Sequence, residues 1–65
     1  MNSHELKLSY LIDRLNDAIN RRDSHEILSV YDDHKEQEID EEMVAEYLYE
    51  DFSRLVDEAN EILGI

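Results

Sequence analysis

Cysteine and proline are absent from this chain of 65 residues, and its single glycine, Gly64, lies next to the end. Without cysteine there is no disulfide staple, no thiolate to hold zinc and no thiol nucleophile. Without proline or an internal glycine nothing punctuates the backbone, so helix is the natural reading throughout. Apolar runs are short. None approaches the roughly 18 residues that cross a bilayer, and no signal peptide opens the chain, so the expected setting is cytoplasmic.

Positive charge is scarce too, with 6 Lys and Arg against 18 Asp and Glu and a formal charge of −12. The imbalance is concentrated. Residues 1–31 hold five acids and four bases, a net of −1, whereas residues 32–65 hold thirteen acids against Lys35 and Arg54, a net of −11. Such a surface repels nucleic acid and anionic membrane and attracts basic surfaces. Nucleic-acid binding is signalled by a basic patch, and this chain has its opposite. An amphipathic membrane helix would carry Lys and Arg on its polar face, where this chain carries Glu. Neither nucleic acid nor membrane is an expected direct partner.

What is present is helical periodicity. Leu8, Leu11, Ile12, Leu15, Ala18 and Ile19 fall within about a third of a helical wheel. Asn2 and Glu5 have the spacing of a capping box, with Ser3 as a competing cap, and Asp23 and Glu26 repeat that spacing at the next boundary. A short second helix is predicted to about Asp33, with Ile27, Val30, Tyr31 and His34 on one side. Residues 32–39, "DDHKEQEI", read as a connection. Asp40 reads as the cap of a last helix, with Ile39 and Val44 spaced as a hydrophobic staple. From there Val44, Leu48, Phe52, Leu55, Ala59 and Ile62 recur at steps of three and four to a stop at Gly64, about 24 residues or roughly 36 Å of helix.

The fold expected is one all-α domain over residues 1–65, a small helical hairpin or three-helix chain with two long amphipathic helices. A chain this short buries only roughly 60% of its unfolded surface, and small unstapled folds often gain core by oligomerising. The core is therefore expected to be completed as a dimeric helical bundle. Its self-association seam would be Leu8, Leu11, Leu15, Val44, Leu48, Phe52, Leu55 and Ile62. The stretch "AINRRDSHEILSVYDDH", residues 18–34, resembles the opening helices of ligand-binding and enzyme domains of the nuclear transport factor type. Those domains continue into a long curved β-sheet, for which this chain has neither the length nor period-2 runs, so no residue role is carried over.

Chemistry has few candidates. Catalysis needs positioned groups in a pocket that excludes water, for which a chain of this size has little room. No glycine-rich phosphate loop exists and no serine sits in a nucleophile setting, so an enzyme is not expected. "YDDHKE", residues 31–36, gathers Asp32, Asp33, His34 and Glu36. Its acids are adjacent rather than alternating, and it lacks the turn glycine of a calcium loop. No Glu-x-x-His pair of a di-iron bundle occurs either. No metal or cofactor is expected.

The strongest functional signal is "EIDEEMVAEYLYED", residues 38–51, with seven carboxylates and no base. Wound as a helix from Asp40, the face opposite the seam collects Glu42, Glu46, Glu50, Asp57 and Glu61, flanked by Asp51 and Glu58. Glu42, Glu46 and Glu50 would stand in a row about 6 Å apart, a spacing at which like charges weaken a helix by a few tenths of a kcal/mol per pair. Met43 and Tyr47 fall inside that acidic face and Tyr49 at its edge, and exposed aromatics and methionine are enriched at interfaces. B-DNA presents one phosphate per roughly 1.7 Å of axis, and a carboxylate ladder on a rigid helix is a crude copy of that field. In composition and size the chain resembles acidic DNA-mimic inhibitors, many of them small phage proteins. The implied function is a small acidic regulator on the basic surface of a nucleic-acid-binding partner. The alternative is a helical interaction module, such as an adaptor, antitoxin-like partner or assembly subunit, binding through its apolar seam.

Overall fold

In the computed structural model, which describes residues 1–65, the Asn2–Glu5 pair opens the first helix as its spacing predicts. Asn2 Oδ1 accepts from the Glu5 N–H at 2.8 Å, and Glu5 Oε1 accepts from the Asn2 N–H at 3.0 Å. Helix α1 spans Ser3–Arg21 and ends at Arg22, which adopts the left-handed region with φ of 53°. Asp23 then caps α2, Ser24–Gln37, by accepting from the Glu26 N–H at 3.1 Å. Only half of this second box forms, because the Glu26 carboxylate turns away to Arg14 of α1.

Both boundaries between α2 and the last helix differ from the periodic reading. Helix α2 runs a turn beyond Asp33, so much of the expected connection is helical. Two interhelical contacts hold that turn. Asp33 pairs with Arg14, and the His34 ring stacks on Phe52 with centroids 4.5 Å apart. The last helix, α3, spans Glu46–Leu63, 18 residues rather than a run from Asp40. At 1.5 Å per residue that is about 27 Å. Asp40 caps only a 3-10 turn at Glu41–Met43, accepting from the Glu41 N–H at 2.9 Å. Val44 (φ −133°, ψ 162°) and Ala45 (φ −61°, ψ 140°) are extended, and they break the expected helix. No local breaker residue causes this. Ile39 is drawn into the core, and the Ala45 N–H is taken by Glu5 Oε2 at 2.8 Å.

That last bond sets the topology. It joins the N-terminal ends of α1 and α3, while Ile19 and Ile62 share a concavity at the other end, so α1 and α3 run parallel. Helix α2 returns antiparallel to both. Arg14 ties it to α1 through Glu26 and Asp33. The Tyr31 hydroxyl ties it to α3, donating to Asn60 Oδ1 at 2.7 Å with the Val56 carbonyl oxygen at 3.3 Å. No strand is present, so the sheet of the nuclear transport factor type is not found.

A single cluster of 11 buried apolar residues forms the core, with Leu8, Leu11, Leu15, Ala18, Ile27 and Val30 at 0% exposure. The anticipated seam residues meet one another here. Leu8, Leu11, Leu15, Leu48, Phe52 and Leu55 are buried within the single chain, and Val44 and Ile62 are half-buried. The third helix covers what the periodic reading left open to a second copy. A second copy would therefore contact other residues, of which Leu6, Tyr10, Leu28, Met43 and Tyr47 are large and exposed. The radius of gyration of 11.2 Å is close to the roughly 11 Å of a compact domain this long.

Deleting buried methyl groups without collapse of the surroundings removes transfer energy and leaves a cavity. Leu11→Ala should lower unfolding stability by about 2–5 kcal/mol, whereas Leu28→Ala, at a half-exposed site, should stay within about 0.5 kcal/mol. Urea denaturation of the two variants beside the wild type measures both.

Candidate functional site

Three of the six bases, Arg14, Arg21 and Arg54, form ion pairs, and they leave most acids of the second half unneutralised. Arg14 pairs with Glu26 and Asp33, and those two carboxylates, Asp33 first, raise its basicity further. Arg21 pairs with Asp17 at 2.9 Å and Asp23 at 3.3 Å. Arg54 reaches Asp51 at 3.4 Å. Of the thirteen acids in residues 32–65, only Asp33 and Asp51 have an ion-pair partner. Each of these pairs is at least partly exposed and contributes at most about 1 kcal/mol. The other eleven acids have no ion-pair partner.

Helix α3 displays four of the predicted residues, Glu46, Glu50, Asp57 and Glu61, all exposed. They lie at 0, 4, 11 and 15 residues along one helix, so they share its outer face over about 22 Å. Asp57 lies close enough to Tyr31 that, after burial, its charge is the second cause raising the Tyr31 hydroxyl above its ordinary value. Met43 is 41% exposed and Tyr47 61%, so neither is drawn into the core. Asp51 differs: it is half-buried and paired with Arg54.

Glu42 does not stand in the predicted row with Glu46 and Glu50, because it sits on the 3-10 turn before the break. The break brings these residues together in another shape. Glu41, Glu42, Glu46 and Glu50 ring an open concavity of about 380 Å³, with Val44 and Tyr49 completing the lining. Tyr49 is half-buried there. The result is a cleft with carboxylate walls and an aromatic side, suited to a cationic chain with an apolar stem. Glu41 was missed by the helical wheel, since its place depends on the turn.

A second concavity of about 380 Å³ lies between the C-terminal parts of α1 and α3, lined by Ile19, Arg22, Glu58, Glu61 and Ile62. Arg22 and Glu58 were not predicted to share a surface, and only the parallel packing of α1 and α3 unites them. At the opposite end Glu5 has a role beyond its own helix. Its carboxylate accepts from the Asn2 and Ala45 N–H groups, and in that order they hold it below the usual carboxylate range. Asn2 Nδ2 adds a bond of 3.2 Å to the Met43 carbonyl oxygen. These two bonds fasten the acidic segment 40–45 to α1. Within "YDDHKE", Asp33 turns to Arg14 and His34 to Phe52, and no group of three or more His, Asp or Glu is arranged to hold a metal ion. No helix is long and apolar enough to cross a membrane.

Comparison with known proteins finds no family model, no curated protein and no solved structure that matches this chain.

His34 and Gln37 stand one turn apart near the end of α2, and His34 Nε2 and Gln37 Oε1 are buried without hydrogen-bond partners. Burial lowers the His34 pKa below the ordinary value near 6.5. The folded protein thus favours the neutral ring, and the unfolded chain takes up the proton first as pH falls. The stabilisation is complete above about pH 6.5 and is lost as pH drops through 6.5 toward the lowered folded value. His34→Leu keeps an apolar contact on Phe52 and removes the titration. The urea midpoint of the wild type should fall between about pH 7.5 and 5.5, and the variant should show a clearly flatter profile over the same range. Equal slopes for the two proteins would count against this assignment.

Proposed function

We propose that this chain is a small acidic regulator that occupies the basic, nucleic-acid-binding surface of a partner protein. The observation that carries the reading is the outer face of α3. Glu46, Glu50, Asp57 and Glu61 are exposed and unpaired along it, and Met43 and Tyr47 are exposed beside them. A face meant only to be wetted gains from alternating charges at i,i+4, and the one base on α3, Arg54, is set against Asp51 instead.

Magnitudes define what such a surface can do. Over the roughly 22 Å from Glu46 to Glu61, B-DNA would present about 13 phosphates, so the carboxylates form a sparser field. Charge of this kind speeds encounter and chooses the partner, while exposed aromatic and methionine side chains add contact energy once water is excluded. Tyr47 and Met43 are the residues for that second task, and the cleft beside Tyr49 receives a Lys or Arg stem. No catalytic step enters this reading.

A second reading rests on a different face. Leu6 and Tyr10, one turn apart on α1, are 59% and 63% exposed, an apolar pair suited to another helix. In an interaction module of that kind the acid serves solubility alone. Because the seam is already covered within the chain, this face takes the place of the seam in the alternative.

The two readings part on salt and charge. Glu42→Gln, Glu46→Gln and Glu50→Gln together preserve size and helix propensity while removing three charges. The triple variant should stay folded by circular dichroism. Immobilised, it should retain far less basic protein than the wild type at low salt, and wild-type capture should fade as salt rises. A captured protein should release its DNA or RNA to the wild type and keep it against the variant. Equal competition by the two proteins would sink the mimic and leave the Leu6–Tyr10 face as the working surface.

A further inference from the structure

We infer that the junction between α2 and α3 is a two-state device, in which residues 34–37 and residues 41–45 compete for helix. The structure shows the first state. Residues 34–37 are helical, and the chain then turns through Glu38, Ile39 and the 3-10 turn to start α3 at Glu46. In the second state α3 begins at Asp40, and the last turn of α2 is given up.

Three observations place the two states close together. The segment broken in the structure is locally a good helix start. Asp40 is a favoured cap, Glu41 and Glu42 suit the positive end of a helix dipole, and Val44 continues the apolar spacing of Leu48, Phe52 and Leu55. No proline or glycine lies near it, yet Val44 and Ala45 are extended and Ala45 supplies no side-chain cap to α3. The break is held from outside by the Glu5 carboxylate on the Ala45 N–H, by Asn2 Nδ2 on the Met43 carbonyl and by the burial of Ile39.

The turn that is kept is the poorly satisfied one. It contains both buried orphan atoms of the chain, His34 Nε2 and Gln37 Oε1. It ends on Glu38 in the left-handed region with φ of 51°, where a side chain is strained, and the capping bond from the Glu38 N–H to the Lys35 carbonyl is long at 3.4 Å. The two boundaries are tied by chain length. Starting α3 five residues earlier moves its first residue about 7.5 Å along the axis and leaves only residues 38–40, about 13 Å of extended chain from residue 37 to residue 41, as the connection. They must cover the lateral gap between helices as well, and giving up the last turn of α2 relaxes that connection.

The exchange changes the acidic surface. In the observed state Glu42 faces Glu46 and Glu50 across a cleft; in the other, the three stand on successive turns of one helix. The binding consequence rests on the proposed function, whereas the junction itself does not.

The test is structural and needs no partner. Glu5→Ala removes the acceptor that holds Ala45 extended, and Cα chemical shifts report helix residue by residue. In the variant, shifts at 41–45 should move toward helix while those at 34–37 move away from it. Adding Glu46→Pro should reverse both changes. Proline fits the first turn of α3 as observed, where the Glu46 N–H has no backbone partner, and it is excluded from the interior of an extended helix. In the unmodified protein, relaxation dispersion should find one exchange process with a common rate for the two segments. Loss of order at 41–45 with no gain of helix would overturn the inference, as would unchanged shifts at 34–37. If the variant does not fold, separate rates for the two segments in the wild type overturn it as well.

Discussion

The burial of one face of α1 is the constraint from which the rest of this structure follows. Leu8, Leu11, Leu15 and Ala18 are completely excluded from water, and no single neighbour covers them. Each buried leucine contributes roughly 1.5–3 kcal/mol, a large share of what a small domain retains after chain entropy. Helix α2 takes one flank and α3 the other, which places α3 parallel to α1. The parallel arrangement brings both N-terminal ends together, and Glu5 then serves two helices with one carboxylate. Without cysteine, the chain draws its cohesion from this face and the few polar ties around it.

Those polar ties explain why the outside is so acidic. Arg14 lies between α1 and α2 with its charge divided between Glu26 and Asp33, and Arg21 closes the corner through Asp17 and Asp23. The bases that form these pairs are thereby unavailable to the outer face of α3. The asymmetry seen in the sequence becomes a division of space, with balanced charge at the α1–α2 contact and uncompensated charge on α3 and the segment before it. Long-range repulsion between copies works against crowding and favours encounter with basic surfaces. In the proposed reading such a surface selects which molecules approach, and the exposed Tyr47 and Met43 add contact energy afterwards.

The segment from His34 to Ala45 shows where local and tertiary preferences diverge. Locally, Asp40 begins a helix and "DDHKEQEI" is a loop. In the fold, Asp33 and His34 find partners on α1 and α3, Ile39 finds the core, and Glu5 intercepts the Ala45 N–H. Each of these contacts joins residues far apart in the chain. Their sum moves two helix boundaries by four to six residues without any proline or glycine to mark the change.

By itself the sequence determined the helical class, the first capping box, the apolar faces and the imbalance of charge. All are local or compositional: 3.6-residue periodicity, a side chain reaching a backbone N–H three residues away, a count of carboxylates. The exposure of Glu46, Glu50, Asp57 and Glu61 followed from the same periodicity. The tertiary structure decided the rest. It turned Glu42 from a ladder rung into the wall of a cleft, set Arg22 around one concavity with Glu58 and Glu61, and buried most of the seam within a single chain. The physical reason is that helix ends are marginal in free energy, so a few contacts from distant parts of the chain, those of Asp33, His34, Ile39 and Glu5, relocate them.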